Sequence, residues 1–236
     1  MTSAKPPQSF TGFPEGTTDF LRGLTEHNEK PWFEQHRAEY DAYYVQPTLA
    51  FVGALGPRLQ AEVSSLVEYE ARINGSLFRI NRDIRFSKDK TPYKTHLDLW
   101  FWEGNRKGWD SPGFFMRQTL DKLYLGAGMH HFGPEQLSAY CRAVLDPTLG
   151  ASLAGLTGRL EEAGLDVGAE ARKKVPRGID PAHERARFLR YEGLVAMWEG
   201  PLPPEIRTEG FVDWCLALFK TASPINEWLR EALAAT

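Results

Sequence analysis

The sequence predicts an α+β fold: a single domain with an antiparallel β-meander in the middle of the chain and helices from both ends packed around it. Three observations lead there. Apolar residues recur at helical spacing up to about residue 66, and again from about residue 134. Between these regions LDLWFWE, FFMRQTL and KLYLGAGMHHF have the composition of strands, and no helix separates them that could carry a parallel crossover. The chain has 236 residues, 42% hydrophobic and 25% charged, so it can bury a core without disulfide or metal staples.

Residues 1–9 are polar and proline-containing and read as a flexible tail, with the domain spanning 10–236. Thr17 or Thr18 caps a first helix carrying Phe20, Leu21 and Leu24, which HNEKP ends. A second helix places Trp32, Phe33, His36, Tyr40, Tyr43 and Tyr44 at helical spacing, a pattern of core packing rather than base stacking. Pro47 opens a third, with Leu49, Val52, Leu55, Leu59, Val63 and Leu66 on one side and a kink or break expected at Gly56-Pro57. Asp121-Lys122 is the expected turn between the last two meander strands. Helices follow over about 134–146 and 148–163. The basic stretch 164–187 has no clear period, and Arg172-Lys173-Lys174 with Arg177 reads as a solvated loop. FLRYEGLVAMWEG is compatible with a strand, and FVDWCLALFKTASPINEWLREAL is a helix interrupted at Pro224.

The formal charge is −3 and the isoelectric point about 6.1, so no global basic field draws the chain to nucleic acid or anionic membrane. Cys141 and Cys215 make neither a disulfide framework nor a zinc pattern and are expected to be buried, reduced thiols. The opening MTSAKPPQSF lacks an apolar stretch behind its lysine, and no run approaches the ~18 apolar residues of a membrane span. A cytoplasmic protein with no membrane partner is the expectation.

Against this background one segment stands out. From Arg79 to Lys94 the chain carries six basic residues (Arg79, Arg82, Arg85, Lys88, Lys90, Lys94) and two acidic ones (Asp83, Asp89), a local sum of +4. As a helix it would put Arg79, Arg82, Asp83 and Phe86 on one face and Leu77, Ile80 and Ile84 on the other. As a strand it would send Arg79, Asn81, Asp83 and Arg85 one way and Ile80, Arg82, Ile84 and Phe86 the other. The helix is favoured, because it separates charged from apolar residues without burying Arg82. Ser87–Lys90 then reads as a turn, and Pro92 blocks simple continuation. Guanidinium groups grip carboxylate or phosphate oxygens through paired, planar hydrogen bonds, so several on one surface make an anion site. The competing reading is an internal network in which these groups satisfy only one another.

The run RINRDIRFSKDKTPYK resembles the signature of an uncharacterised bacterial family, domain of unknown function 2461. That pattern is Arg-x-x-Arg-Asp-x-Arg-Phe followed by Asp/Asn-Lys-x-x-Tyr, and it falls on Arg79, Arg82, Asp83, Arg85, Phe86, Asp89, Lys90 and Tyr93. The opening FTGFPEGTTDFLRGLTEHNEKPWFEQHRAEY and the segment LGAGMHHFGPEQL are similar to that family as well. The resemblance implies one domain from about Phe10 onward. It brings no activity with it, but it favours Arg82, Asp83, Arg85, Lys90 and Tyr93 over Lys88 and Lys94.

Other candidates are thinner. Gly126-x-Gly128 is followed by His131 where a dinucleotide loop needs its third glycine, so a bulge or close backbone contact is the better reading. His96-x-Asp98 with His130 or His131 falls short of a metal-ligand set. Neither a Gly-x-Ser-x-Gly elbow nor a phosphate loop ending in Gly-Lys occurs. No metal or cofactor is therefore expected. The leading expectation is binding of an anionic, phosphate-bearing ligand or a nucleic-acid backbone. Arg79, Arg82 and Arg85 would grip oxygens, Lys90 would add charge, Asp83 would orient an arginine and Tyr93 would donate a hydrogen bond. The alternatives are an enzyme with Asp83 or Asp89 as base and Lys90 or Tyr93 as acid, and a structural or protein-interaction role.

Overall fold

The computed structural model describes residues 9–104, 110–169 and 171–234. Of the expected tail, residues 1–8 lie outside the described residues and Ser9 is exposed. The fold is α+β, with the meander in mid-chain and helices before and after it. The strands are β1 (Val67–Glu68), β2 (Leu97–Glu103), β3 (Gly113–Gln118), β4 (Lys122–Met129), β5 (Asp166–Gly168) and β6 (Leu194–Pro201), in the sheet order β1-β2-β3-β4-β6-β5. The meander β2-β3-β4 closes through Glu103 N–H to the Pro112 carbonyl and Thr119 N–H to the Lys122 carbonyl, each 2.9 Å. Lys122 already belongs to β4, because the Thr119 hydroxyl accepts its N–H at 3.0 Å and tightens the turn to Thr119–Asp121. β5, unassigned from sequence, pairs antiparallel with β6, Val167 opposite Ala196.

The chain clusters into two compact units. The first is Met1–Phe101, Phe115–Tyr124 and Gly200–Leu216; the second is Trp102–Phe114, Leu125–Glu199 and Ala217–Thr236. Each draws on three separate stretches, so no single cut in the sequence isolates either.

In the first unit α1 (Glu15–Glu26) starts directly after Pro14, which takes the cap position. Thr17 and Thr18, expected as caps, are instead buried in its first turn. The Thr17 hydroxyl donates to the Tyr43 carbonyl (2.5 Å), and the Thr18 hydroxyl accepts from Arg207 (2.7 Å). The expected second helix is broken into α2 (Lys30–Gln35), a single turn α3 (Arg37–Glu39) and a π-helical segment, Tyr40–Val45. That wider segment shifts the phase, so Tyr44 and Val45 are buried side by side while Tyr43 is 41% exposed. It runs on into α4 (Gln46–Glu62), which passes through Pro57 without the expected break. The buried stripe Phe51, Val52, Leu55 and Leu59 outweighs the one hydrogen bond a proline removes, at ~1.5–3 kcal/mol for each side chain. Phe51 joins Phe10, Phe13 and Phe211 in a ring cluster with centroids 5.0 Å to 5.9 Å apart. Val63 and Leu66 fall beyond the helix end, and Leu66 is exposed.

In the second unit α5 (Pro134–Leu145) and α6 (Pro147–Glu162) meet at Asp146, whose carboxylate accepts the N–H groups of Thr148 and Leu149 at 2.8 Å. Arg185, from the basic stretch that sequence left open, donates to the carbonyls of Val144 (2.9 Å) and Asp146 (2.7 Å) and so closes the end of α5. Arg172 and Arg187 are likewise tied, to Glu192 and Glu161, whereas Lys173, Lys174 and Arg177 are exposed as expected. Gly128 holds a left-handed φ of 131°, and a Cβ there would collide with the backbone of Leu194 in β6. This is the close contact expected of that glycine. The terminal helical stretch is two helices, α7 (Phe211–Ala222) and α8 (Pro224–Ala234), divided just before Pro224. Among the described residues no helix is long and apolar enough to cross a membrane.

Candidate functional site

The basic motif lies wholly in the first unit, and it is extended. Leu77 pairs antiparallel with Leu99, and Asn81 with Tyr93. Phe78 N–H donates to the Asp98 backbone carbonyl (3.1 Å), Lys94 N–H to the Ile80 carbonyl (2.8 Å) and Arg82 N–H to the Pro92 carbonyl (2.9 Å). The motif is thus a hairpin with arms 77–82 and 92–99 and a loop between them, and the favoured helix is corrected. Cross-strand bonds satisfy the backbone that a helix would have satisfied internally. Of the three residues the helix reading would bury, Leu77 and Ile80 are buried and Ile84 is only half-buried. Arg82 escapes burial because it sits where the arm leaves the ladder, its side chain 26% exposed. The two pairs are four residues apart on the rising arm (77 to 81) and six on the descending one (93 to 99). The two extra residues bulge around Thr95 and His96 and re-aim the side chains beside them.

In the loop both carboxylates are spent on arginines. Arg82 Nη1 donates to Asp89 (2.5 Å), to the Thr91 carbonyl (3.0 Å) and to the Thr91 hydroxyl. Arg85 grips Asp83 in a fork, Nε to Oδ1 at 2.9 Å and Nη2 to Oδ2 at 2.7 Å. Lys90 Nζ donates to the Ile84 carbonyl at 2.9 Å. The Arg85 hydrogen bonds hold Asp83 below the usual carboxylate range, and the Thr91 and Arg82 hydrogen bonds do the same for Asp89. Carboxylates depressed in this way are weak bases, which counts against either as a proton acceptor. Arg79 and Lys88 are exposed and form no ion pair among the described residues. Phe86, at the turn of the loop, is 95% exposed with the Arg85 guanidinium 5.8 Å from its ring centre.

Tyr93 is not on this charged surface. Its N–H donates to Asn28 Oδ1 (3.0 Å) and its carbonyl accepts from Asn28 Nδ2 (2.9 Å). Its ring stacks on Phe33 with centroids 4.2 Å apart, and burial raises its phenol pKa. The residue anchors the hairpin to the α1–α2 connection. The aromatic set around it is mixed in burial: Phe33 and Tyr44 are buried, Trp32 and Tyr40 half-buried.

At the base of the hairpin lies a second centre. Asp98 is 8% exposed and faces two cationic groups, Arg117 (Nε 2.6 Å, Nη2 3.3 Å) and Lys94 Nζ (3.2 Å), together with the His96 imidazole (Nε2 3.2 Å). Burial alone would raise the Asp98 pKa, but His96 and Arg117 hold it well below the usual carboxylate range. His96-x-Asp98 is therefore a hydrogen-bonded pair within a cationic cluster. Sequence reasoning passed over Arg117 and ranked Lys94 low. The only available signal was the meander itself, whose β2–β3 pairing carries Arg117 to Asp98.

Arg82, Asp83, Arg85, Asp89 and Lys90 are thus gathered in one braced loop, with Arg79 on its rising arm and Tyr93 outside it. Among the described residues no three His, Cys, Asp or Glu side chains converge as metal ligands would. Cys215 is buried and Cys141, expected to be so, is only half-buried; both thiols are free. The arrangement can present fixed guanidinium and ammonium groups to an anion. The curated proteins provide no match to the sequence. Residues 16–228, which include nearly all of α1, the whole hairpin, the sheet and the start of α8, match the family model described as conserved hypothetical protein DUF2461, and the chain belongs to that family.

Proposed function

We propose that the hairpin loop binds a phosphate-bearing anion, with Arg79 and Lys90 supplying charge and Arg85 a preorganised fork. One observation carries this reading. Asp83 and Asp89 are both consumed in positioning Arg85 and Arg82, so the cationic surplus of the motif stays exposed on a braced loop. A purely internal network would balance its charges, whereas residues 79–94 sum to +4 in a chain of −3, and with Lys94 paired to Asp98 the cations Arg79, Lys88 and Lys90 have no carboxylate partner among the described residues. Arg82 acts as the brace and Tyr93 as the anchor rather than as ligand contacts.

The test is titration calorimetry of wild type and an Arg79→Ala/Lys90→Ala double variant with pyrophosphate. Both side chains are exposed and the only hydrogen bond lost is the solvent-exposed one from Lys90 to the Ile84 carbonyl, so the variant should stay folded and melt within a few degrees of wild type. Wild type should bind and the double variant should lose at least tenfold in affinity. Equal affinity in the two proteins, or no binding by wild type, would refute the reading.

A further inference from the structure

Phe86 differs from every other large apolar side chain that reaches solvent among the described residues. It is 95% exposed, whereas Leu66, Tyr43 and Leu145 reach only 45%, 41% and 38%. The loop that carries it is braced on both sides, by Arg82 to Asp89 and Thr91 and by Lys90 to the Ile84 carbonyl. The Arg85 guanidinium, itself fixed by Asp83, stands over one side of the ring at 5.8 Å from its centre without covering it. Arg79, Lys88 and Lys90 are exposed on the same hairpin, and the face of the ring away from Arg85 is open to solvent.

We propose that this tip binds nucleotide units of a short single-stranded nucleic acid, one base stacking on the uncovered face of Phe86 while Arg79, Lys88, Lys90 and Arg85 Nη1 take the flanking phosphates. The proposal rests on the anion-binding reading above and names its ligand class. An aromatic ring beside cationic groups is complementary to a base beside phosphates, and stacking on a ring is tolerant of base identity. A lipid surface fits less well. It would meet a single buried ring, too little apolar area for stable anchoring, together with the Asp83 and Asp89 carboxylates. The charge distribution also limits the length of ligand that gains affinity. With −3 overall and +4 in residues 79–94, the rest of the chain carries −7, so net charge outside the hairpin adds no attraction for a longer polyanion. Three unpaired cations predict release of about three counterions. The logarithm of affinity should then fall with the logarithm of salt with a slope of about −2, and should level off beyond a few nucleotides.

Fluorescence anisotropy of labelled oligothymidylates of two to twelve nucleotides tests this, with wild type, Phe86→Ala and Phe86→Trp, and with pyrophosphate as competitor. Phe86→Ala should weaken oligonucleotide binding about tenfold or more, leave pyrophosphate affinity within about twofold, and melt like wild type. Phe86→Trp should restore oligonucleotide binding. If Phe86→Ala binds the oligonucleotide as wild type does while Arg79→Ala/Lys90→Ala does not, base stacking is wrong and the anion site stands. If wild type binds neither oligonucleotide nor pyrophosphate, both readings fall. Phe86-dependent binding to vesicles containing anionic phosphatidylglycerol, without oligonucleotide binding, overturns the proposal in favour of a lipid surface.

Discussion

Replacing Asp98 by Asn keeps its size and removes its charge. In wild type the carboxylate, 8% exposed, takes hydrogen bonds from Arg117, His96 and Lys94 at 2.6 Å to 3.3 Å. Breaking a fully buried pair costs ~3–5 kcal/mol, because the remaining charge is stranded. Here the partners keep an outlet to water, with the Arg117 side chain 49% exposed and those of Lys94 and His96 23% and 24%. The discounted cost is about 2–3 kcal/mol, since a partly solvated partner recovers some hydration. At ~2–4 °C per kcal/mol for a chain of this size, Asp98→Asn should melt roughly 4–12 °C lower at neutral pH. The sign of the pH dependence follows from the depressed carboxyl. Its stabilisation is complete above the ordinary aspartate pKa of about 4, and is lost as pH falls through the lower value of the folded state. The gap between wild type and variant should therefore hold down to about pH 4 and narrow below it. Thermal melts followed by circular dichroism across pH 2–8 would read both effects. A variant that melts within about 1 °C of wild type at pH 7 would refute the claim that Asp98 neutralises this cluster.

Two further substitutions probe the hairpin. Arg82→Ala removes the brace on Asp89 and Thr91, so trypsin should cut after Arg85 and Lys88 faster than in wild type; unchanged cleavage would place the brace elsewhere. Asn28→Ala deletes both hydrogen bonds to the Tyr93 backbone and should cost about 1–2 kcal/mol, seen as a lower urea midpoint at unchanged slope.

The meander and the helices after it could be read from residues, because their signals are local. Strand composition marks LDLWFWE, and an Asp-Pro step with leucines every third or fourth residue marks α6. What sequence obscured depends on partners far along the chain. The π-helical segment is supported by Thr17, whose hydroxyl meets a carbonyl 26 residues away, so the aromatic spacing alone read as one regular helix. The charged motif offered two conformations of similar merit, and β2 decided between them by giving Phe78 and Leu77 cross-strand partners. The loop cations were visible as a cluster. The grouping of Lys94, His96 and Arg117 was not, because it needs both the two-residue bulge and the register between β2 and β3.

The threefold splitting of the first unit has a consequence for synthesis. Arg207 donates to the carbonyls of Phe13 and Pro14, 194 and 193 residues upstream, and Phe211 completes the ring cluster of Phe10, Phe13 and Phe51. A chain emerging from the ribosome must carry those three phenylalanines through the synthesis of about 160 to 200 further residues before their last partner arrives. Contacts of such sequence separation form late and slow folding. A nascent chain stalled before Ile206 leaves that aromatic surface open, a feature chaperones and proteases recognise.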